Sequence, residues 1–125
     1  MTDFDPGSHY IDVERLPWQP TRSPGVEMKV LWQDPDSEAF TAMFRTAPGA
    51  VLPSHRHRGI EQTFVLKGSL VDGDGTCTAG NFVWRDVGSV HSAHSPDGCI
   101  TIGMFQKPNE FLDDETAECE DPPNS

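Results

Sequence analysis

"GAVLPSHRHRGIEQTFVLKG", residues 49 to 68, sets His55 and His57 two positions apart and places Glu61 four residues after the second. Side chains alternate along a strand, so both histidines leave the same face of an extended segment and can converge on one ion. The reversal at Arg58-Gly59-Ile60 would then return a strand beginning at Glu61 beside them. Imidazole nitrogens with one carboxylate, other positions left open, form the ligand set of mononuclear non-haem iron sites and also of zinc sites. The bland alternative is a solvated loop of mixed charge, with Arg56 and Arg58 interleaved, and an isolated H-x-H does not separate the two.

The surroundings of this stretch read as β-structure. Short runs rich in β-branched and aromatic residues recur: "VEMKVLWQ" (26–33), "EAFTAMFRTA" (38–47), "EQTFVLKG" (61–68), "NFVWRDV" (81–87) and "CITIGMFQ" (99–106). Turn-like pieces separate them, "DPDS", "APGA", "DGDG" and "SPDG", and no segment keeps a helical apolar period for three turns. This is the pattern of an antiparallel sandwich or barrel, with an all-β core over roughly residues 26 to 107. Residues 1–25, with Pro6, Pro17, Pro20 and Pro24, read as an extended arm that carries one strand at His9–Val13. The domain itself is expected over 26–112. Residues 113–125, acidic and poor in apolar side chains, are expected to be disordered, because they have nothing to offset the entropy of ordering.

Composition narrows the partners. A chain of 125 residues suits one domain with one core. Its net charge of -11 repels phosphate backbones and anionic lipid, so neither nucleic acid nor a membrane surface is expected as a partner. There is no apolar run of the roughly 18 residues needed to cross a bilayer, and the start "MTDFDPGSHY" lacks the basic and apolar regions of a signal peptide. A soluble, cytoplasmic protein is the expectation. Cys77, Cys99 and Cys119 make no C-x-x-C pair and read as reduced thiols, Cys99 as a small core residue.

A larger template resolves the question raised by the histidines. Gly49, five residues, His55-Arg56-His57, three residues, Glu61, six residues and Gly68 match the first motif of the cupin superfamily at each defined position. Gly80, five residues, Asp86, one residue, Gly88, two residues and His91 resemble the second motif. Asp86 stands where proline is usual, and Ser95 where asparagine is usual; neither is a ligand position. The resemblance covers about residues 26 to 107. It implies a single-domain, double-sheet β-barrel of jelly-roll type with one divalent metal ion inside. Carried over residue by residue, it makes His55, His57, Glu61 and His91 the metal ligands. His94, three residues beyond His91, is the competitor, and strand parity sends it to the opposite face.

The run from Trp18 to Gly75, continued by "GSVHSAHSPDGC", is similar to the cupins of zinc-binding anti-sigma factors and of acetylacetone-cleaving dioxygenases. The second likeness implies Fe(II) and O2-dependent cleavage of a small diketone or ketone-type substrate. The first implies Zn(II) in a sensory or ligand-binding module without catalysis. Residues 1–25 are too short for the separate helical domain with which an anti-sigma protein holds its sigma factor, so the dioxygenase is the favoured expectation, acting on a small-molecule substrate. Cupins of this kind commonly pair through their sheets, and a homodimer is expected.

Other side chains are weighed by parity. With Glu61 inward, Thr63 and Val65 face the cavity, while Gln62, Phe64 and Leu66 face away. Phe44, Trp84, Met104 and Phe105 read as core packing before substrate contacts. Arg45 reads as a surface or ion-paired arginine before an anchor for an anionic substrate.

Overall fold

A computed structural model of the chain describes residues 7–112. The expected disordered tail, 113–125, lies outside the described residues. Ten strands follow in chain order: β1 (Gln19–Pro20), β2 (Val26–Gln33), β3 (Phe40–Thr46), β4 (Val51–Arg56), β5 (Glu61–Asp72), β6 (Thr76–Thr78), β7 (Phe82–Arg85), β8 (Val90–His94), β9 (Cys99–Phe105) and β10 (Glu110–Phe111). All recorded pairings are antiparallel. The only helical element among the described residues is a single 3-10 turn at Val13–Arg15. The fold is all-β, a double-sheet barrel of cupin type.

One long strand joins the two sheets. Residues 61–68 of β5 lie between β9 and β7 in the first sheet, which continues through β3 and β2 to β1. Beyond that, β5 pairs with β6 and β8, and β8 leads to β4 and β10 in the second sheet. Gly68 sits at the crossover with φ +74, and a Cβ there would run into the Gly98 carbonyl. The glycine that closes the first motif is therefore needed for a close approach of two backbones.

The cavity lies between two apolar clusters. Met28, Phe40, Ala42 and Phe105 are buried together with Val30 and Phe44 against them, and the Phe40 and Phe105 rings stack at 4.7 Å. Leu70, Ala93 and Cys99 form the second cluster with Leu52. Truncating a buried phenylalanine such as Phe105 to alanine costs about 3–5 kcal/mol in lost burial and cavity formation.

The expected strand at His9–Val13 is not formed. Tyr10 is 93% exposed, and no neighbouring strand takes up its backbone. The strand forms instead at Gln19–Pro20, against Glu27 and Met28 of β2. Further contacts hold this segment to the barrel. Lys29 donates to the Val13 carbonyl at 2.9 Å, and Lys29 and Arg45 both lie over the Trp18 ring.

Candidate metal centre

Strand pairing brings the two motifs together. His55 on β4 stands directly opposite His91 on β8, and the backbone of His57 continues the contact through Ser89 and Gly88. Register is irregular between Leu52 and His55, where Pro53 removes a backbone donor from the strand. Its carbonyl accepts from His55 Nδ1 at 2.8 Å. That bond fixes the tautomer and leaves Nε2 as the electron-pair donor.

The three rings form a triangle with centroid separations of 4.9, 4.6 and 4.8 Å. One ring nitrogen from each of His55, His57 and His91 lies within 4.8 Å of the others. His57 Nε2 and His91 Nε2 are 3.4 Å apart, and two nitrogens each about 2.1 Å from one tetrahedral ion would be separated by roughly that distance. His57 Nδ1 is buried without a hydrogen-bond partner and lies 3.2 Å from Glu61 Oε1. Glu61 is therefore beside the histidine group, at His57, and not one of its three members; its other oxygen accepts from the Thr63 hydroxyl at 2.6 Å.

Burial sets the protonation of this group. His57 is pushed down to about 3, first by burial and then by the charges of His55, His91 and Arg85. His91 is pushed down to about 4 by burial and then by Arg85 and His55. For His55 burial again outweighs the Pro53 carbonyl, and the direction is downward. All three are neutral at neutral pH, with lone pairs available to a metal ion. Glu61 moves the other way: burial raises it, against the Thr63 hydroxyl and Arg85. A cation at the centre would return it to the carboxylate form. Packed neutral imidazoles with a carboxylate beside them together suit one divalent ion.

His94 is exposed on the opposite face, as parity requires. Thr63 and Val65 are buried, while Phe64 and Leu66 are 38% and 42% exposed. Phe44 and Phe105 reach the cavity; Trp84 and Met104 instead lie on the outer face, 58% and 38% exposed. Arg45 is an exposed arginine paired with Glu27 at 2.7 Å. The two departures from the second motif are both used. Asp86 Oδ1 accepts from Val87 N in the turn before His91, where the Asp86 backbone carbonyl accepts from Ser89 Oγ, and the fully buried Ser95 donates to the Ser69 carbonyl at 2.6 Å.

Sequence reasoning missed Arg85. Its side chain is 9% exposed, lines the cavity with His55, Glu61 and His91, and meets Asp72 Oδ2 at 2.5 Å. The signal was the register. Arg85 is the strand partner of Glu61, so it shares the inward face, while its aromatic neighbours Phe82 and Trp84 point out. The cavity holds about 70 Å³. Met28, Phe44, Phe105 and Phe111 are among the residues of its apolar wall.

The sequence model of the ChrR cupin-like domain matches residues 6–110. The chain belongs to the ChrR cupin-like domain family. Among solved structures, a candidate acetylacetone dioxygenase from Methylibium petroleiphilum PM1 is similar at 20% identity and a TM-score of 0.80, covering 95% of this chain and 90% of that one. An acetylacetone dioxygenase from Acinetobacter johnsonii is similar at 20% identity and a TM-score of 0.74, with 95% and 85% covered. The anti-sigma factor ChrR of Rhodobacter sphaeroides, solved in complex with SigE, is similar at 27% identity and a TM-score of 0.64. That match covers 74% of this chain and 51% of the other. No protein of curated function matches the chain. The likenesses at 20% identity speak to the fold. Among the described residues, no helix is long and apolar enough to cross a membrane.

Proposed function

We propose that this cupin is a metal-dependent dioxygenase that cleaves a small diketone or ketone-type substrate with O2. One Fe(II) ion would be held by His55, His57, Glu61 and His91. The observation that carries this reading is the cluster of three neutral imidazoles, two of them on the wall of a small and mostly apolar cavity. When bound, Fe(II) supplies a Lewis acid, a template for substrate oxygens and a redox centre. The chain's own part is positional. Pro53 locks His55 in one tautomer, and Thr63 orients Glu61 beside His57. The mostly apolar wall would disfavour water beside a bound substrate. The test is O2 consumption by the Fe(II)-loaded protein with β-diketones, compared with the Zn(II)-loaded form.

A second reading, a zinc-binding sensory or ligand-binding module without catalysis, draws on the family match and the likeness to the ChrR anti-sigma factor. Tight stoichiometric zinc in protein purified without added metal, together with no O2 consumption, would favour it.

The protein is further proposed to act in the cytoplasm as a homodimer, paired through the outer face of the first sheet. Strand register aligns Trp32, Thr41, Met104, Gln62 and Trp84 in one row across five strands. Phe64 and Phe82 form part of the row beside it. Trp32 and Trp84 are more than half exposed, and Phe82 nearly so. Apolar side chains grouped in this way mark an interaction face, whereas scattered ones do not. A two-fold axis would let this single face cover itself.

A further inference from the structure

Arg85 and Asp72 form the one ion pair among the described residues in which both side chains are more than nine-tenths buried, and the arginine lies on the cavity wall. Asp72 is fully engaged. Its Oδ1 accepts from the amides of Asp74 and Gly75 at 2.7 and 3.0 Å, and its Oδ2 takes Arg85 Nη1. Burial disfavours its charge, but these bonds and Arg85 outweigh burial and hold its pKa below the usual carboxylate range. Asp72 thus works as an anchor, tied to the "DGDG" turn, that fixes the guanidinium from one side. A guanidinium offers five donors in a planar fork suited to carboxylates, and Asp72 occupies one nitrogen of it.

The charge balance of the cavity points the same way. Glu61 and Arg85 on the wall, Asp72 behind Arg85 and one divalent ion leave one positive charge in excess, in a cavity whose other lining residues are uncharged. Buried charge without a counter-ion is costly, so this balance would favour a monoanionic ligand. Arg85 stands opposite Glu61 in strand register, which puts a fixed cation on the same inward face as the residues proposed to hold the metal.

We infer that Arg85 is a specificity-determining residue that binds the carboxylate of the substrate, so that the cavity selects short oxo-carboxylates over neutral diketones. The inference rests on the proposed use of the same cavity as a substrate site. It narrows the substrate to a short, monoanionic, enolisable oxo-acid, whose ketone oxygen would be directed to the metal centre while its carboxylate is held on the guanidinium.

The test is calorimetric binding of acetoacetate and of acetoacetamide, its neutral near-isostere, to the zinc-loaded protein, in which no turnover intervenes. Wild type is expected to bind acetoacetate at least about tenfold more tightly, the discrimination that a charge-assisted hydrogen bond of about 1.4 kcal/mol supplies. Arg85→Met should abolish the preference and Arg85→Lys should keep part of it, with metal content unchanged in both. Because Arg85→Met leaves Asp72 buried and unpaired, Arg85→Met combined with Asp72→Asn serves as a second variant that keeps a side-chain acceptor for the turn. An undiminished preference in the variants overturns the inference, as does equal binding of the two ligands, or no binding of either, by wild type. The two readings fail separately. O2 consumption by the Fe(II) protein with acetylacetone but no acetoacetate preference sinks the carboxylate site alone, whereas the preference without O2 consumption sinks the dioxygenase alone.

Discussion

His55 and His91 face each other across β4 and β8 as direct strand partners, their ring centroids 4.6 Å apart. The two sequence motifs are thereby joined at a single pair of residues, and the metal centre depends on both. His55→Ala or His91→Ala should therefore remove stoichiometric metal, read by elemental analysis of the purified protein. Full metal content in both variants would contradict the proposed ligand set.

Glu61 is buried against His57 Nδ1 at 3.2 Å. Whether through direct coordination or through the orientation of His57, its carboxylate charge should count. Carboxylates that orient metal-bound histidines typically contribute 10–100-fold to affinity. Glu61→Gln, which keeps the volume and loses the charge, should weaken metal binding by at least about tenfold in a competition titration with a chelator. Unchanged affinity would remove Glu61 from the site.

These two predictions rest on residues that the sequence already exposed, and the reason is covalent spacing. Positions of equal parity on a strand share a face whatever the tertiary context, so His55 and His57 were legible together, and so was the outward direction of His94. The bounds of β2, the turns and the inward face of Thr63 and Val65 followed from the same rule and from turn chemistry. Arg85 was not legible, because hydrophobicity alone would turn Trp84 inward and Arg85 out. Pairing with Glu61, a contact between strands remote in sequence, reverses this. The arm strand was misplaced for a similar reason: Gln19–Pro20 is a strand only because β2 offers it an edge.

Acid should destabilise the metal-free protein. His57 and His91 sit at about 3 and about 4 in the fold, against about 6.5 in an unfolded chain. Between those values the unfolded chain binds protons that the folded chain does not. Their stabilising contribution is therefore present above about pH 6.5 and is lost as the pH falls toward 4. The raised Glu61 acts in the opposite sense, favouring the fold at low pH and losing that contribution as the pH rises through its folded value. Two strongly lowered histidines, with His55 lowered as well, outweigh one carboxylate. Thermal melts of chelator-treated protein should show Tm falling from pH 7 to pH 4.5, and a rising Tm would contradict these shifts.

The outer face of the first sheet should set the oligomeric state. Light scattering at micromolar concentration should give twice the chain mass of 13.8 kDa. Trp84→Glu, which places a charge on a side chain that is 58% exposed, should convert the protein to monomer without loss of metal. A wild-type mass of one chain would rule out the dimer, and a Trp84→Glu dimer would rule out this face.

The most direct measurement of the proposed activity is an oxygen-electrode trace of anaerobically loaded Fe(II) protein, mixed with a panel of β-diketones and short 3-oxo acids, with the Zn(II) form and His91→Ala in parallel. Dioxygenase activity predicts O2 consumed in proportion to substrate cleaved by the Fe(II) protein, and flat traces for the other two. Zinc shares the ligands but has no redox chemistry to offer. A flat trace for the Fe(II) protein across the panel, with zinc found tightly bound in the purified material, would contradict it.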